Sequence, residues 1–302
     1  MNTVNRPYRW DLVRPDQLGT LLEGTEVPEL WFLDALIECA AKVLARSGGG
    51  RLHFVGRSAD SMYDFLTGAL EHTDWRTRVS RLPMSMTGVR FDGPTVALLR
   101  ANLAAAGLSP EQLARGRGPI AFVDLVYSGN TFTQLYHQLR TWVADERVSW
   151  DVVRTKLRFV GITERERTGP NTWRWQQAAG WPAELPANAV RDVSLDREHW
   201  SYLGDHQRKL SPSFKRKHWS GEPERLRRDK KTRHALAQAL ALVAAGRDRR
   251  NRELLARHLR NEPMSGERAV RTLLTQLTVE PGARSPRACR GPARPPRPGR
   301  TR

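Results

Sequence analysis

Cysteine and long apolar runs are scarce in this chain of 302 residues. Its two cysteines differ in setting, because Cys39 lies in an apolar helical pattern and Cys289 in a tail rich in arginine and proline. A disulfide between them is therefore not expected, and two thiols cannot build a cysteine-ligated metal centre. No apolar run reaches the roughly 18 residues that a membrane-spanning helix needs, and residues 1–16 lack the apolar core of a signal peptide. These absences favour a protein of the reducing cytoplasm with no membrane partner.

Negative charge is also in short supply. The chain has 32 acidic residues against 50 lysines and arginines, which gives a formal net charge of +18. Residues 281–302 carry seven arginines and no acid, so removing their contribution leaves +11 for the rest of the chain. Only seven of the 50 basic residues are lysines. Such usage is typical of GC-rich coding DNA, so part of the charge reflects composition rather than a partner.

A polar turn between a buried strand and a helix is the feature that most favours a ligand. The apolar residues 120–123 follow a Gly-Pro break, which predicts a buried parallel strand, and Asp124 ends the run. Residues 127–131 predict a turn, after which apolar residues recur at helical spacing from Phe132 to Val143. The turn therefore joins the carboxyl end of a strand to the start of a helix, where open α/β sheets bind ligands.

The residues of this turn suit a phosphate. The N–H groups at a helix start have no intrahelical acceptor and, with the helix dipole, favour an anion. Gly129 lets the backbone approach a phosphate closely, and the hydroxyls of Ser128 and Thr131 can donate to its oxygens. Asp124 can accept hydrogen bonds from sugar hydroxyls. The alternative is a capped turn without a ligand, in which Thr131 is only the N-cap of the helix.

A second turn of this kind comes earlier in the chain. Residues 52–55 predict a strand, which is followed by Gly56, Arg57 and Ser58 and then by a helical pattern. Arg57 offers a bidentate partner to a phosphate. The alternative is that Arg57 pairs on the surface and that Asp60 caps the helix.

The order of residues around the later turn resembles the phosphoribosyl-pyrophosphate loop of the type I phosphoribosyltransferases. In that family a strand is followed by two adjacent acids, a few residues and then Thr-Gly-x-Thr. Asp124 matches the second acid, whereas Val123 stands where the first is usual. Tyr127 stands where several purine enzymes of the family carry an acid. The phosphate-cradling residues of the family match Ser128, Gly129, Asn130 and Thr131.

The resemblance implies that the protein binds phosphoribosyl pyrophosphate (PRPP) or a related ribose 5-phosphate ester, together with magnesium. It further implies a transferase of nucleotide metabolism that moves the phosphoribosyl group to or from a base-like acceptor. Asp124, at the ribose, is then the catalytic candidate, residues 127–131 bind the 5′-phosphate side and the 56–58 turn binds the pyrophosphate. Val123 in place of an acid leaves two alternatives open: a sensor that binds the ligand without turnover, and a nucleic-acid-binding protein that uses its basic surface.

Strand and helix patterns alternate along the chain, which predicts an α/β fold with a parallel sheet and helices on both faces. We assign residues 1–220 to a phosphoribosyltransferase-like domain. Within it, the Trp-rich residues 163–219 take the place of the family's hood over the acceptor, although most of these tryptophans are expected to form a small core. Residues 221–280 predict a basic helical extension and residues 281–302 a disordered tail. The basic residues of 214–233 form either a solvated face or a contact for nucleic acid or an acidic partner, and a homo-oligomer is left open.

Overall fold

Five parallel strands form a single sheet in the computed structural model, which describes residues 10–169, 172–219 and 227–279. The order across the sheet is β2-β1-β3-β4-β5. The strands are β1 (Arg51–Val55), β2 (Val79–Leu82), β3 (Ile120–Leu125), β4 (Leu157–Glu164) and β5 (Val190–Leu195). Because every neighbouring pair is parallel, the carboxyl ends of all five strands lie at one edge of the sheet.

Helices surround the sheet and follow most strands in turn. They are α1 (Leu33–Arg46), α2 (Asp60–Ala69), α3 (Gly93–Ala105), α4 (Pro110–Arg115), α5 (Asn130–Asp145), α6 (Trp150–Arg154), α7 (Trp175–Ala179), α8 (Arg197–Ser201), α9 (Lys230–Arg247), α10 (Arg249–Arg260) and α11 (Arg268–Thr278). None of the helices within the described ranges is long and apolar enough to cross a membrane.

The two faces of the sheet are buried in separate apolar clusters. Successive side chains of a strand point to opposite faces, and β3 divides accordingly. Ala121 and Val123 join a cluster with α1, α2 and the C-terminal helices, whereas Ile120 and Phe122 join a cluster with α3 and α5. The predicted α/β fold, a parallel sheet with helices on both faces, is thereby confirmed. Its likeness to phosphoribosyltransferases stays a prediction.

The C-terminal helices belong to the main body of the protein. Leu242 of α9, Leu255 of α10 and Leu273 of α11 are fully buried in the same cluster as α1 and α2. The predicted helices of 221–280 are thus present from Lys230 onwards, and they cover one face of the sheet. The predicted disordered tail, with Cys289, lies outside the described residues.

The crossing of α2 and α9 depends on two glycines. A Cβ atom on Gly68 would lie 2.0 Å from the carbonyl oxygen of Val243, and one on Gly246 would lie 2.1 Å from the carbonyl oxygen of Phe65. Both contacts are with backbone, which cannot move aside as a flexible side chain can. The two helices therefore approach each other more closely than any larger residue permits.

We expect Gly68→Ala to destabilise the protein. Alanine is about 1 kcal/mol better than glycine within a helix, but overpacking against the backbone of α9, at about 1–3 kcal/mol, should outweigh this gain and leave a net loss of up to about 2 kcal/mol. The measurement is the free energy of unfolding in urea. The matched control is Gly266→Ala, because a Cβ at Gly266 meets no atom within 4 Å. A stabilising Gly68→Ala would mean that α2 and α9 do not cross at this distance.

Candidate functional site

The two turns predicted to bind phosphate lie beside each other at the carboxyl edge of the sheet. β1 pairs directly with β3, from Arg51 opposite Ile120 to Phe54 opposite Val123. β2 lies on one side of β1, and β3, β4 and β5 follow on its other side. The direction in which strands are added to the sheet therefore changes after β2. Such a change of direction opens a crevice between the two strand ends, where open α/β sheets bind ligands. The turns after β1 and β3 therefore lie next to each other, at the position where such sheets bind ligands.

The turn after β3 presents unused backbone donors. Gly129 has a φ of 74° and is the N-cap of α5, so Thr131 lies within the first helical turn and the predicted N-cap role of Thr131 is wrong. In the described part of the chain, the N–H groups of Asn130 and Thr131 have no hydrogen-bond acceptor. Ser128 and Asn130 are exposed. These groups are available to an anion in front of the helix.

Asp124 lies on β3 itself, because the strand continues to Leu125. Its side chain is only 7% exposed, and its Oδ1 atom has no hydrogen-bond partner among the described residues. Burial raises the pKa of Asp124 to about 8, against the opposing effects of the Leu125 N–H, the Thr131 hydroxyl and the charge of Lys209. Burial therefore favours the protonated form of the carboxyl group, which can both donate and accept a hydrogen bond.

The turn after β1 hydrogen-bonds to the end of β2 and to the segment that contains Ser211. Gly56 has a φ of 69°, and its N–H donates to the carbonyl oxygen of Leu82 at 2.9 Å. Arg57 is exposed and donates from Nη1 to the carbonyl oxygen of Ser211 at 3.3 Å. No carboxylate of the described residues pairs with Arg57, so its charge is available to a ligand. The predicted N-cap role of Asp60 is wrong, because Asp60 is the first residue of α2 and Ala59 is the N-cap.

Lys209 binds the turn after β1, although its sequence context gives it no predicted role. Its Nζ atom donates to the carbonyl oxygen of Ser58 and to Oε1 of Gln207, each at 2.8 Å. Its charge also lowers the pKa of Asp124. Lys209 therefore brings a positive charge between the first turn and the buried acid. No local pattern marks it, because the contact with Ser58 spans 151 positions of the chain.

Buried amide groups hold the segment that carries Lys209. Ser61 of α2 donates to Oε1 of Gln207 at 2.6 Å, and Nε2 of Gln207 donates to Oε1 of Gln238 on α9 at 2.8 Å. The side chain of Gln238 then donates to the hydroxyl of Tyr202 at 2.9 Å. Through these hydrogen bonds α9 supports the segment that carries Lys209, although α9 itself packs on α2.

Gly129 is buried beneath a tryptophan. A Cβ atom on Gly129 would lie 2.3 Å from the indole ring of Trp175, and one on Gly161 would lie 3.4 Å from the same ring. The indole Nε1 of Trp175 donates to Oδ1 of Asp192 at 2.9 Å. Because Gly129 has no side chain, it leaves room for the indole ring of Trp175. The expectation that this glycine lies open to a phosphate is corrected accordingly.

An exposed aromatic side chain lies in the turn after β3. Tyr127 is 62% exposed, and the Arg167 guanidinium lies 3.9 Å from the centre of its ring. A hydrogen bond to Tyr127 raises the pKa of Arg167. Arg167 also donates to Glu164 at 3.3 Å. Tyr127 thus packs beside an arginine–glutamate pair on a solvent-facing surface at the ends of β3 and β4.

Most tryptophans of the predicted hood are core residues, as expected from their size. Trp173 is exceptional, because 72% of it is exposed. The segment also contains β5, so it is partly an element of the sheet rather than an irregular cover. The buried members are Trp175, Trp181, Trp200 and Trp219.

The basic run of 214–233 is only partly described, because residues 220–226 lie outside the described residues. α9 begins at Lys230 with Asp229 as its N-cap, so several cations precede the positive end of the helix dipole, where they repel it. Their side chains are exposed to solvent, and the contact with nucleic acid or an acidic partner stays a prediction. The exposed basic residues here are Lys215, Arg216, Arg227, Arg228, Lys230 and Lys231.

Metal-ligating side chains are not clustered among the described residues. No three histidine, cysteine, aspartate or glutamate side chains within them are arranged to hold a metal ion. Cys39 is buried, which raises the pKa of its thiol to about 12, so this cysteine is a packing residue. Comparisons of the chain with protein-family models, curated proteins and solved structures found no match.

Proposed function

We propose that this protein binds PRPP or a related ribose 5-phosphate ester in the crevice between β1 and β3. The observation that carries the proposal is Asp124, a buried acid with an unpartnered oxygen beside the start of α5. A buried polar atom without a partner costs about 1–3 kcal/mol, and a ligand that supplies the partner removes this cost. A sugar phosphate suits this site in two ways. Its hydroxyls supply partners to Asp124, and its phosphate accepts hydrogen bonds from the free N–H groups of Asn130 and Thr131.

Each part of the ligand has a chemical counterpart. The 5′-phosphate meets the backbone donors and hydroxyls of residues 128–131, with the α5 dipole behind them. The ribose hydroxyls meet Asp124. The pyrophosphate meets Arg57 and Lys209, which together provide two positive charges. Magnesium enters the proposal only as a counter-ion of the pyrophosphate oxygens, and no step is assigned to it.

The reaction that suits this arrangement is transfer of the phosphoribosyl group. The bond from the anomeric carbon to the pyrophosphate oxygen breaks, and its electron pair leaves with pyrophosphate. A ring nitrogen of the acceptor base forms the new bond and loses its proton to solvent. Arg57 and Lys209 stabilise the charge that develops on the leaving group, and the phosphate turn keeps the sugar in position.

A sensor without turnover is the second candidate, and Val123 is the reason. Its side chain is fully buried and points to the face of the sheet opposite to Asp124, so Asp124 is the single acid of β3 at the crevice. Binding without chemistry needs no second acid. Pyrophosphate release, measured with PRPP and a panel of nucleobases, separates the two candidates. Release with one base supports the transferase, and binding without release supports the sensor.

We expect Arg57→Ala to distinguish two ligands. It should weaken PRPP binding by about 1.5–3 kcal/mol, the range for a charged hydrogen bond, and should barely change the binding of ribose 5-phosphate, which lacks the pyrophosphate. Asp124→Asn should weaken both ligands to a similar degree, because both carry the ribose hydroxyls. Titration calorimetry with magnesium present gives the dissociation constants.

Arg117→Ala is the matched control, because Arg117 is exposed and precedes β3 at the opposite edge of the sheet. If Arg57→Ala weakened the binding of both ligands equally, Arg57 would not contact the pyrophosphate. If the parent protein takes up neither ligand in the calorimeter, the proposed function itself is wrong.

A further inference from the structure

The outer edge of β5 has unused hydrogen-bonding groups. The N–H of Phe159 donates to the carbonyl oxygen of Ala189, and alternate residues of a parallel strand face the same neighbour. Val190, Asp192 and Ser194 therefore direct their backbone N–H and C=O groups away from β4. Nothing in the described ranges pairs with these groups. An exposed strand edge of this kind is a template for another extended chain.

A groove of about 310 Å³ runs along this edge. It is lined by four cations from both faces of the sheet and by one carboxylate, that of Asp192. On one face Lys42 and Arg46 project from α1, and Arg191 points to the same side. On the other face Arg174 precedes α7. A second groove of about 360 Å³ continues past Arg174, and the exposed Trp173 is its neighbour in the chain.

The charges of these cations are unequally compensated. Lys42 pairs with Glu38 at 2.5 Å and Arg46 with Glu262 at 3.0 Å. Arg174 donates to the carbonyl oxygen of Thr168 at 3.3 Å, and Arg191 donates to the side chain of Asn188. Neither arginine contacts a carboxylate of the described residues. Each face of the sheet thus offers one uncompensated arginine beside the free edge.

We propose that the edge of β5 binds an acidic peptide segment of a partner protein in extended form. Such a segment adds a sixth strand, and its backbone supplies both donors and acceptors to Val190, Asp192 and Ser194. Its side chains alternate between the two faces, so acids at successive positions meet Arg191 on one face and Arg174 on the other. A small anion or a polyphosphate offers no donors to the exposed carbonyl groups.

Segments of this same chain fit the groove poorly. The tail of residues 281–302 carries seven arginines and no acid, so it is repelled by the groove. A second copy of β5, paired edge to edge, would bring the uncompensated arginines of both copies together. Charge therefore selects an acidic partner over self-association.

The test is fluorescence anisotropy with the intact protein and a labelled eight-residue peptide, Val-Thr-Glu-Glu-Glu-Glu-Thr-Val. We expect saturable binding that the Arg174→Gln/Arg191→Gln double variant weakens at least tenfold. Ser194→Pro should weaken it to a similar degree, because proline removes an outward N–H without touching the bonds to β4. Ser194→Ala keeps that N–H and should bind as the parent does. Arg197→Gln, an exposed arginine of α8, controls for net charge.

Three further measurements separate strand addition from simple attraction between charges. A peptide with glutamine in place of glutamate should not bind, and a peptide N-methylated at alternate residues should lose binding even if Ser194→Pro fails to fold. Inorganic polyphosphate should compete weakly. Equal binding of the N-methylated peptide, or unchanged binding by Ser194→Pro with an intact melting curve, would overturn strand addition. Absence of peptide binding would overturn the proposal as a whole and would leave the PRPP titrations unaffected.

Discussion

Replacing Asp124 by asparagine should make the protein more stable, and the gain should grow with pH. The folded-state pKa of Asp124 is raised from 3.8 to about 8. Between these values the unfolded chain releases the proton while the folded protein keeps it, so rising pH favours unfolding. Asparagine has nearly the same shape and cannot ionise. We expect little difference from the parent near pH 4 and a gain of about 2–4 kcal/mol at pH 8, below the limit set by 1.36 kcal/mol per pKa unit.

Melting curves of both proteins from pH 4 to pH 9 provide the measurement. The difference in stability should rise through this range and level off above the folded-state pKa. A difference that does not change with pH would mean that Asp124 is ionised in the folded protein, with the charge of Lys209 as its support. The same variant should lose ligand affinity, so stability and binding should move in opposite directions, as is common at functional sites.

Gly129→Ala should be destabilising by about 2–5 kcal/mol. Alanine at a φ of 74° costs roughly 1–2 kcal/mol, and the clash of its Cβ with Trp175 adds a packing cost of about 1–3 kcal/mol. Gly88→Ala separates the two effects, because Gly88 has a φ of 67° and no atom within 4 Å of a Cβ. That control should lose only the cost of the backbone conformation.

A double-mutant cycle identifies the clash. In a Trp175→Leu background, which is itself destabilised, Gly129→Ala should cost only about 1–2 kcal/mol more. Equal costs in both backgrounds would mean that the indole is not the obstacle. The proposed phosphate binding of the turn after β3 is therefore better tested with Ser128→Ala and Thr131→Val, since a Gly129 variant confounds binding with folding.

Local patterns are sufficient to predict the turns after β1 and β3. Both strands are mostly apolar and end at a glycine-containing turn, although β1 contains His53, and burial on both faces of a parallel sheet favours such runs. β3 is nevertheless longer than the sequence indicates, because an aspartate at position 124 predicts the end of the apolar run. Aspartate is disfavoured in strands, and only the tertiary structure reveals that this one is accommodated inside.

The parts of the fold that the sequence does not reveal depend on contacts between distant residues. β5 is an edge strand with exposed Arg191 and half-exposed Asp192, so its sequence resembles a polar loop. Lys209 and Trp175 reach the site from segments without helical or strand periodicity. Their neighbours, Ser58 and Gly129, are far away in the chain, and no rule of local spacing connects them.

The docking of α9 on α2 has a consequence for the order in which a growing chain acquires its parts. The last strand ends at Leu195, so the sheet and both turns are synthesised before α9 leaves the ribosome. Until α9 has been synthesised, Gly68 has no helix to pack against and Gln238 cannot hydrogen-bond to Gln207. Lys209, which contacts Gln207, then lacks one of its supports. Since chains emerge from the amino terminus, a product that stops before Lys230 contains the whole sheet and lacks this support. Under the proposed function, such incomplete chains should bind the phosphorylated sugar more weakly than the full chain does.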